Sequence, residues 1–215
     1  MDHIYQIKWY EEEETLMAVM WPSIWNNIHS QFYTEEVKST IWEQVHLNYY
    51  TTYNYNKWHN SLNPCPLCNQ IPETPFHIIH YCNFTKKVWQ RLDNLLKKIM
   101  PQNVTPFEKA FGLQPNTKNE NPVTTLRNWI TFNIRNQLMK EERRAYYHSS
   151  YRNRSISSFL KTFKSVLQQE LQNKYLVYKY RGLADKFEKT MLVGNILGEI
   201  RDDQVIWFDF IGPIE

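Results

Sequence analysis

Three cysteines and a histidine fall within eighteen residues, in the spacing Cys65-x2-Cys68-x8-His77-x4-Cys82. Thiolate sulfur and imidazole nitrogen are the donors that zinc takes four at a time in a tetrahedron. A Cys-x2-Cys turn presents two sulfurs from one tight loop. Pro64 and Pro66 stiffen that turn and lower the entropy lost when the sulfurs converge. The second half, Phe76 to Cys82, reads as a helical turn in which His77 and Cys82 stand five apart, so a helix presenting both must unwind locally. His80 competes for the fourth place, but a His-x1-Cys pair is awkward on one helical face, so the spacing favours His77 and leaves His80 partly exposed or beside the ligands. Three chance buried cysteines next to a common histidine would be the bland reading, and the two intact spacings count against it. With four ligands there is no open position, so the expected Zn2+ is structural and does not activate water. Such a site uses every thiol, which disfavours a cysteine nucleophile, and three clustered cysteines cannot form a complete set of internal disulfides.

Helices are the elements that must hold this cluster. The chain has 215 residues, 42% of them apolar, with only five Gly, a composition that closes a core without loop-rich design. Pro22 with Ile24, Trp25 and Ile28 predicts a short helix. Thr34 as a cap, with Val37, Ile41, Trp42 and Val45 on one face, predicts another to about Tyr49. Trp58 and His59 precede the metal motif and are expected to cover it. Beyond Cys82, Thr85 can cap a helix with Val88, Trp89, Leu92, Leu95, Leu96 and Ile99 on one face, ending before Pro101. A turn or two of helix over Pro106 to Phe111, closed by Gly112, leads to a polar loop from Gln114 to Asn121. Pro122 opens a longer helix with Leu126, Trp129, Ile130, Ile134 and Leu138. After a break near Ser149 to Ser158, a further helix carries Phe159, Leu160, Phe163, Val166, Leu167 and Leu171. Ile196 to Arg201 and Val205 to Phe210 flank Asp202-Asp203 and suggest a terminal hairpin, although Asp-Asp is a poorer turn than Asn-Gly. The expected fold is mainly α, a helical bundle organised around one zinc knuckle with a short C-terminal β-hairpin. Its expected segments are an N-terminal helical part over 1–57, the knuckle and its helix over 58–100, a linker over 101–121, and a basic helical pair with the hairpin over 122–215.

Charge is segregated along the chain. Residues 1–50 hold two basic and eight acidic side chains, 83–100 five and one, 127–189 fourteen and five, and 190–215 one and five. The basic middle could meet phosphates, with Lys86, Lys87 and Arg91 beside the knuckle. Arg127, Arg135, Arg143, Arg144, Arg152 and Arg154 accompany Tyr146, Tyr147 and Tyr151, and basic groups interleaved with aromatics can hold a strand and stack its bases. A solvated Lys/Arg face with ordinary core tyrosines fits the same counts. Glu11 to Glu14 read as a solvated acidic turn, and the lone histidines have no nucleophile or acid partner at a recognisable spacing. No stretch reads as a signal peptide or a membrane span, so the expected location is intracellular, in nucleus or cytoplasm.

The order Cys65-Pro-Leu-Cys68, Glu73-Thr74, His77, Cys82 and Trp89 resembles the zinc-binding region near the C-terminus of non-LTR (LINE-type) retrotransposon reverse transcriptases. Trp42 and Trp58-His59 are similar to aromatic positions upstream of that knuckle, and the later helices and ending resemble the tail of such polyproteins. The resemblance implies Cys65, Cys68, His77 and Cys82 as zinc ligands and RNA or DNA as partner, with a reverse transcriptase core supplied in cis or trans and no membrane. A Tyr-x-Asp-Asp polymerase signature and the spaced acidic motifs of an endonuclease are not found. Asp202-Asp203 is followed by Gln204 and sits in the expected hairpin turn, so no enzymatic role is expected. The rival reading is a structural or protein-interaction module stapled by zinc.

Overall fold

The computed structural model describes residues 24–27, 29, 32–45, 58–59, 63–70, 77–113, 121–148, 152 and 154–213. The helices are α1 (Glu35–Val45), α2 (Asn83–Ile99), α3 (Pro106–Phe111), α4 (Pro122–Tyr147), α5 (Ile156–Tyr180) and α6 (Ala184–Met191). A one-turn π-helix, His77–Tyr81, precedes α2, and the strands β1 (Gly198–Arg201) and β2 (Gln204–Trp207) close the chain as an antiparallel hairpin. The chain is therefore mainly helical, as its composition predicts. Residues 24–27 are helical, in keeping with the first expected helix. Ile28 and the expected extension of α1 to Tyr49 lie outside the described residues, as do the loop from Gln114 to Glu120 and Glu73-Thr74.

Helix starts follow their capping chemistry. Thr34 Oγ1 accepts from Val37 N, Thr105 from Glu108 N, Asn121 from Val123 N and Ser155 from Ser158 N. Pro106 and Pro122 occupy first turns, where a missing N–H costs nothing. Thr85, expected as a cap, has another role: α2 begins two residues earlier, and the Thr85 hydroxyl donates to the Ile78 carbonyl at 2.6 Å. Trp42 also departs from expectation, standing 44% exposed while Val37 and Ile41 of the same helix are buried.

Helix α4 is the hub, touching α1, α2, α3, α5, α6 and the π turn. Every residue from Leu126 to Met139 is buried, including Arg127, Asn128, Thr131, Asn133, Arg135, Asn136 and Gln137. A helix enclosed on all sides needs internal partners for such side chains. Arg127 donates to both oxygens of Glu108, at 2.5 and 3.0 Å, and to the Met100 and Gln102 carbonyls. It thereby ties the end of α2 and the start of α3 to α4. Asn128 accepts from Leu113 N and donates to Leu113 O and to Asn27, and Arg135 donates to the Ala110 carbonyl. Leu126, Trp129, Ile130, Phe132, Ile134 and Leu138 of α4 join one cluster with Val88, Leu92, Leu96, Phe159, Phe163, Leu167, Phe187 and Val205. Among aromatic members, Trp129 is wholly buried.

Positive φ marks several turns, among them the end of α3 and the hairpin. Gly112 ends α3 at φ 72°, ψ 170°, and a Cβ there would lie 2.9 Å from the Phe132 ring. Asp202 and Asp203 both take positive φ, as a two-residue type I′ turn requires, so the hairpin forms where the sequence placed it.

Candidate metal centre

The first half of the centre is a tight turn. Asn69 N donates to the Cys65 carbonyl at 2.8 Å and Cys65 N to the Gln70 carbonyl at 3.0 Å. Asn69 reverses the chain at φ 61°, a conformation that asparagine tolerates better than most residues. The Cys65 and Cys68 sulfurs thus face one side of a closed loop.

The second half is the π turn. Cys82 N donates to the His77 carbonyl at 2.7 Å, a bond spanning five residues. This is the local unwinding that the His77–Cys82 spacing demands: one extra residue in the turn rotates positions five apart onto one face. The turn is clamped from α2, where the Trp89 indole donates to the Ile79 carbonyl at 2.8 Å alongside the Thr85–Ile78 bond. Ile78 is buried against Met139 of α4.

One donor atom from each of Cys65, Cys68, His77 and Cys82 lies within 4.8 Å of the others. Cys68 Sγ is 3.2 Å from His77 Nε2. A tetrahedral zinc with Zn–S of about 2.3 Å and Zn–N of about 2.0–2.1 Å spaces its ligands about 3.5–3.8 Å apart. The cluster is compact enough, and its donors soft enough, to hold that ion. Cys65, His77 and Cys82 are buried and Cys68 is half-buried. Negative charge within the set concentrates on Cys82. A hydrogen bond from Cys65, then one from His77, hold its thiol down to about 4 against the opposing effect of burial. Cys68 shifts upward, through burial and then the neighbouring Cys82 charge. His80 points elsewhere, its Nδ1 3.3 Å from Lys109 Nζ, and it is not among the clustered donors. Trp58 and His59, expected as a cover, are both exposed.

Residues 2–89 match the family model described as zinc-binding in reverse transcriptase. The match supports a zinc-binding, reverse-transcriptase-associated region over this stretch. No curated protein and no solved structure matches the chain. The matched residues span all four donors and end at Trp89, the residue whose indole clamps the π turn. The matched family is a zinc-binding one, not a catalytic domain. Among the described residues no helix is long and apolar enough to cross a membrane.

The nine basic residues singled out in the sequence divide sharply. Lys86, Lys87 and Arg91 stand exposed on α2. Arg143, Arg144 and Arg152 are exposed near the end of α4. Of these, Arg143 pairs with Glu43, Arg144 with Glu141, and Arg152 donates to the Ala145 carbonyl. Arg127 and Arg135 are buried inside the bundle, where a strand does not reach them. Arg154 is largely buried too, bonded to Glu141, Ser158 and Thr162 across the α4–α5 junction. The reason is shared: each guanidinium is the bridge by which a long helix satisfies carbonyls or carboxylates of its neighbours. Tyr147 is 67% exposed, and Tyr151 lies outside the described residues. Sequence reasoning did not single out Lys109, a lone lysine in a short helix; only the fold brings it beside the π turn.

Proposed function

We propose that the chain is a zinc-stabilised nucleic-acid-binding module, akin to the C-terminal tail of a non-LTR retrotransposon reverse transcriptase. In this reading zinc holds the knuckle and α2 meets RNA or DNA. The observation that carries it is the outward face of α2, the helix that starts at the metal centre, where Lys86, Lys87, Arg91, Lys97 and Lys98 are exposed and Asp93 is the single acid. Such a ridge neutralises phosphates and releases counterions, a sequence-independent source of affinity. A cleft of about 720 Å³ on its flank is bounded by Arg91, Lys97, Lys98 and the C-terminal Phe210–Pro213 stretch, and could seat part of a strand. Arg143, Arg144 and Arg152 near exposed Tyr147 offer a weaker second patch, since the arginines already have internal partners.

The test is a salt titration of the zinc-loaded protein with single-stranded RNA and duplex DNA, beside a Lys87→Glu, Arg91→Glu, Lys98→Glu variant. Each phosphate of a single strand that the protein ceases to neutralise lowers the salt slope by about 0.7. A drop of about 2 in slope, with binding weakened at least tenfold at low salt, is expected. Folded, zinc-loaded protein that binds neither nucleic acid at low salt would refute the reading. That outcome would favour a protein-interaction module, to which one observation already points: Leu176, Val177, Tyr180 and Leu183 form an exposed apolar group at the end of α5, with Tyr180 93% exposed.

A further inference from the structure

Between α2 and the loop into α3 lies a cleft of about 320 Å³, bounded by Lys86, Trp89, Gln90, Asp93, Asn103 and Lys109 among others. Clefts of this size accept small ligands or one unit of a polymer. Two lysines and one acid, Asp93, line it. Lys109 Nζ sits 5.1 Å above the Trp89 ring and 3.3 Å from His80 Nδ1, which takes one of its three N–H donors. The nearby acids are committed: Asp93 to Lys97 at 2.6 Å, and Glu108 to Arg127. Lys109 is itself half-buried, and burial pulls its pKa down. An ammonium kept in a partly dry cleft is relieved by an arriving anion.

We propose that this cleft is a phosphate subsite that seats one nucleotide of a bound strand. The phosphate lies between Lys109 and Lys86, and the side-chain amides of Gln90 and Asn103 are available to the sugar or base edge. The proposal rests on the nucleic-acid reading above and gives it an anchored position instead of a diffuse ridge. It also links the subsite to the metal centre, because His80, which Lys109 touches, belongs to the π turn that supplies His77.

The experiment compares the zinc-loaded full chain with Lys109→Met, Lys109→Arg and, as a remote exposed control, Lys186→Met, using single-stranded RNA over a salt series. Methionine keeps the apolar stem over Trp89 while removing the charge. Lys109→Met is expected to weaken binding severalfold and lower the salt slope by about 0.7, Lys109→Arg to restore most of both, and Lys186→Met to leave them unchanged. If the parent chain binds and Lys109→Met matches it in affinity and slope, the subsite is wrong while the nucleic-acid reading survives. If the parent chain binds no strand, that reading fails, and a titration with inorganic phosphate followed through the amide signals of Asn103, Val104 and Lys109 decides the subsite alone. Saturable shifts that vanish in Lys109→Met would keep it as a site for free phosphate; their absence would overturn it.

Discussion

Remove the carboxylate of Glu108 and the wholly buried Arg127 guanidinium keeps its charge with only two backbone carbonyls to face. Stranding one partner of a buried pair typically costs about 3–5 kcal/mol, more than the intact pair contributes over an apolar substitute. Glu108→Ala should therefore lose that much stability in urea unfolding, whereas Glu108→Leu with Arg127→Met should recover most of it. At the metal centre the residue-level question is which histidine ligates. His77→Ala should lose the single zinc by elemental analysis, while His80→Ala should keep it; the reverse result would reject the geometry at Nε2. Cys82 holds its negative charge down to a pH of about 4, but Cys68 carries a raised pKa and keeps its proton through neutrality. Zinc must displace that proton, so binding should release acid near pH 7, and affinity should fall as pH drops from 7 towards 5. Proton release in a weakly buffered zinc titration measures this directly.

Among the elements, α2 was legible in advance, because its apolar stripe from Val88 to Ile99 recurs at helical spacing and its cations fall off that stripe. The His77–Cys82 spacing also announced an irregular turn, though not that it would be a π bond. Helix α4 was legible only in part. Leu126, Trp129, Ile130, Ile134 and Leu138 mark one face, but Asn128 and Arg135 are inside for reasons no local pattern carries: their partners are Leu113, Asn27 and Ala110, far along the chain. Basic side chains read as surface from sequence, and here three of them are internal bridges. Helix α6 went unread, since Ala184 to Met191 carries no cap and only a brief apolar recurrence. The α3–α4 junction offers a test at this scale. Gly112→Ala would force a side chain into a backbone region almost reserved for glycine and against Phe132 and Asn128. A cost of about 1–3 kcal/mol is expected, visible as a lowered thermal midpoint with zinc still bound.

For the whole molecule, the metal centre is a corner that α2, α3 and α4 all touch through the π turn. Chelating zinc should therefore act unevenly. Hydrogen exchange is expected to quicken first in the π turn and at the start of α2, where the Thr85 and Trp89 bonds to Ile78 and Ile79 depend on it, while α5, α6 and the hairpin keep their protection. Uniform loss of protection would mean that zinc holds the bundle as one cooperative unit. The match to the zinc-binding region stops at Trp89, yet α2 runs on to Ile99, with Leu92, Leu95 and Leu96 seated in the common core. A gene fragment cut at that boundary would sever a helix at mid-length and leave the metal loop hanging from a torn edge. Any exchange of this region between proteins would have to carry the rest of α2 with it and find in the recipient a groove shaped like the one on α4.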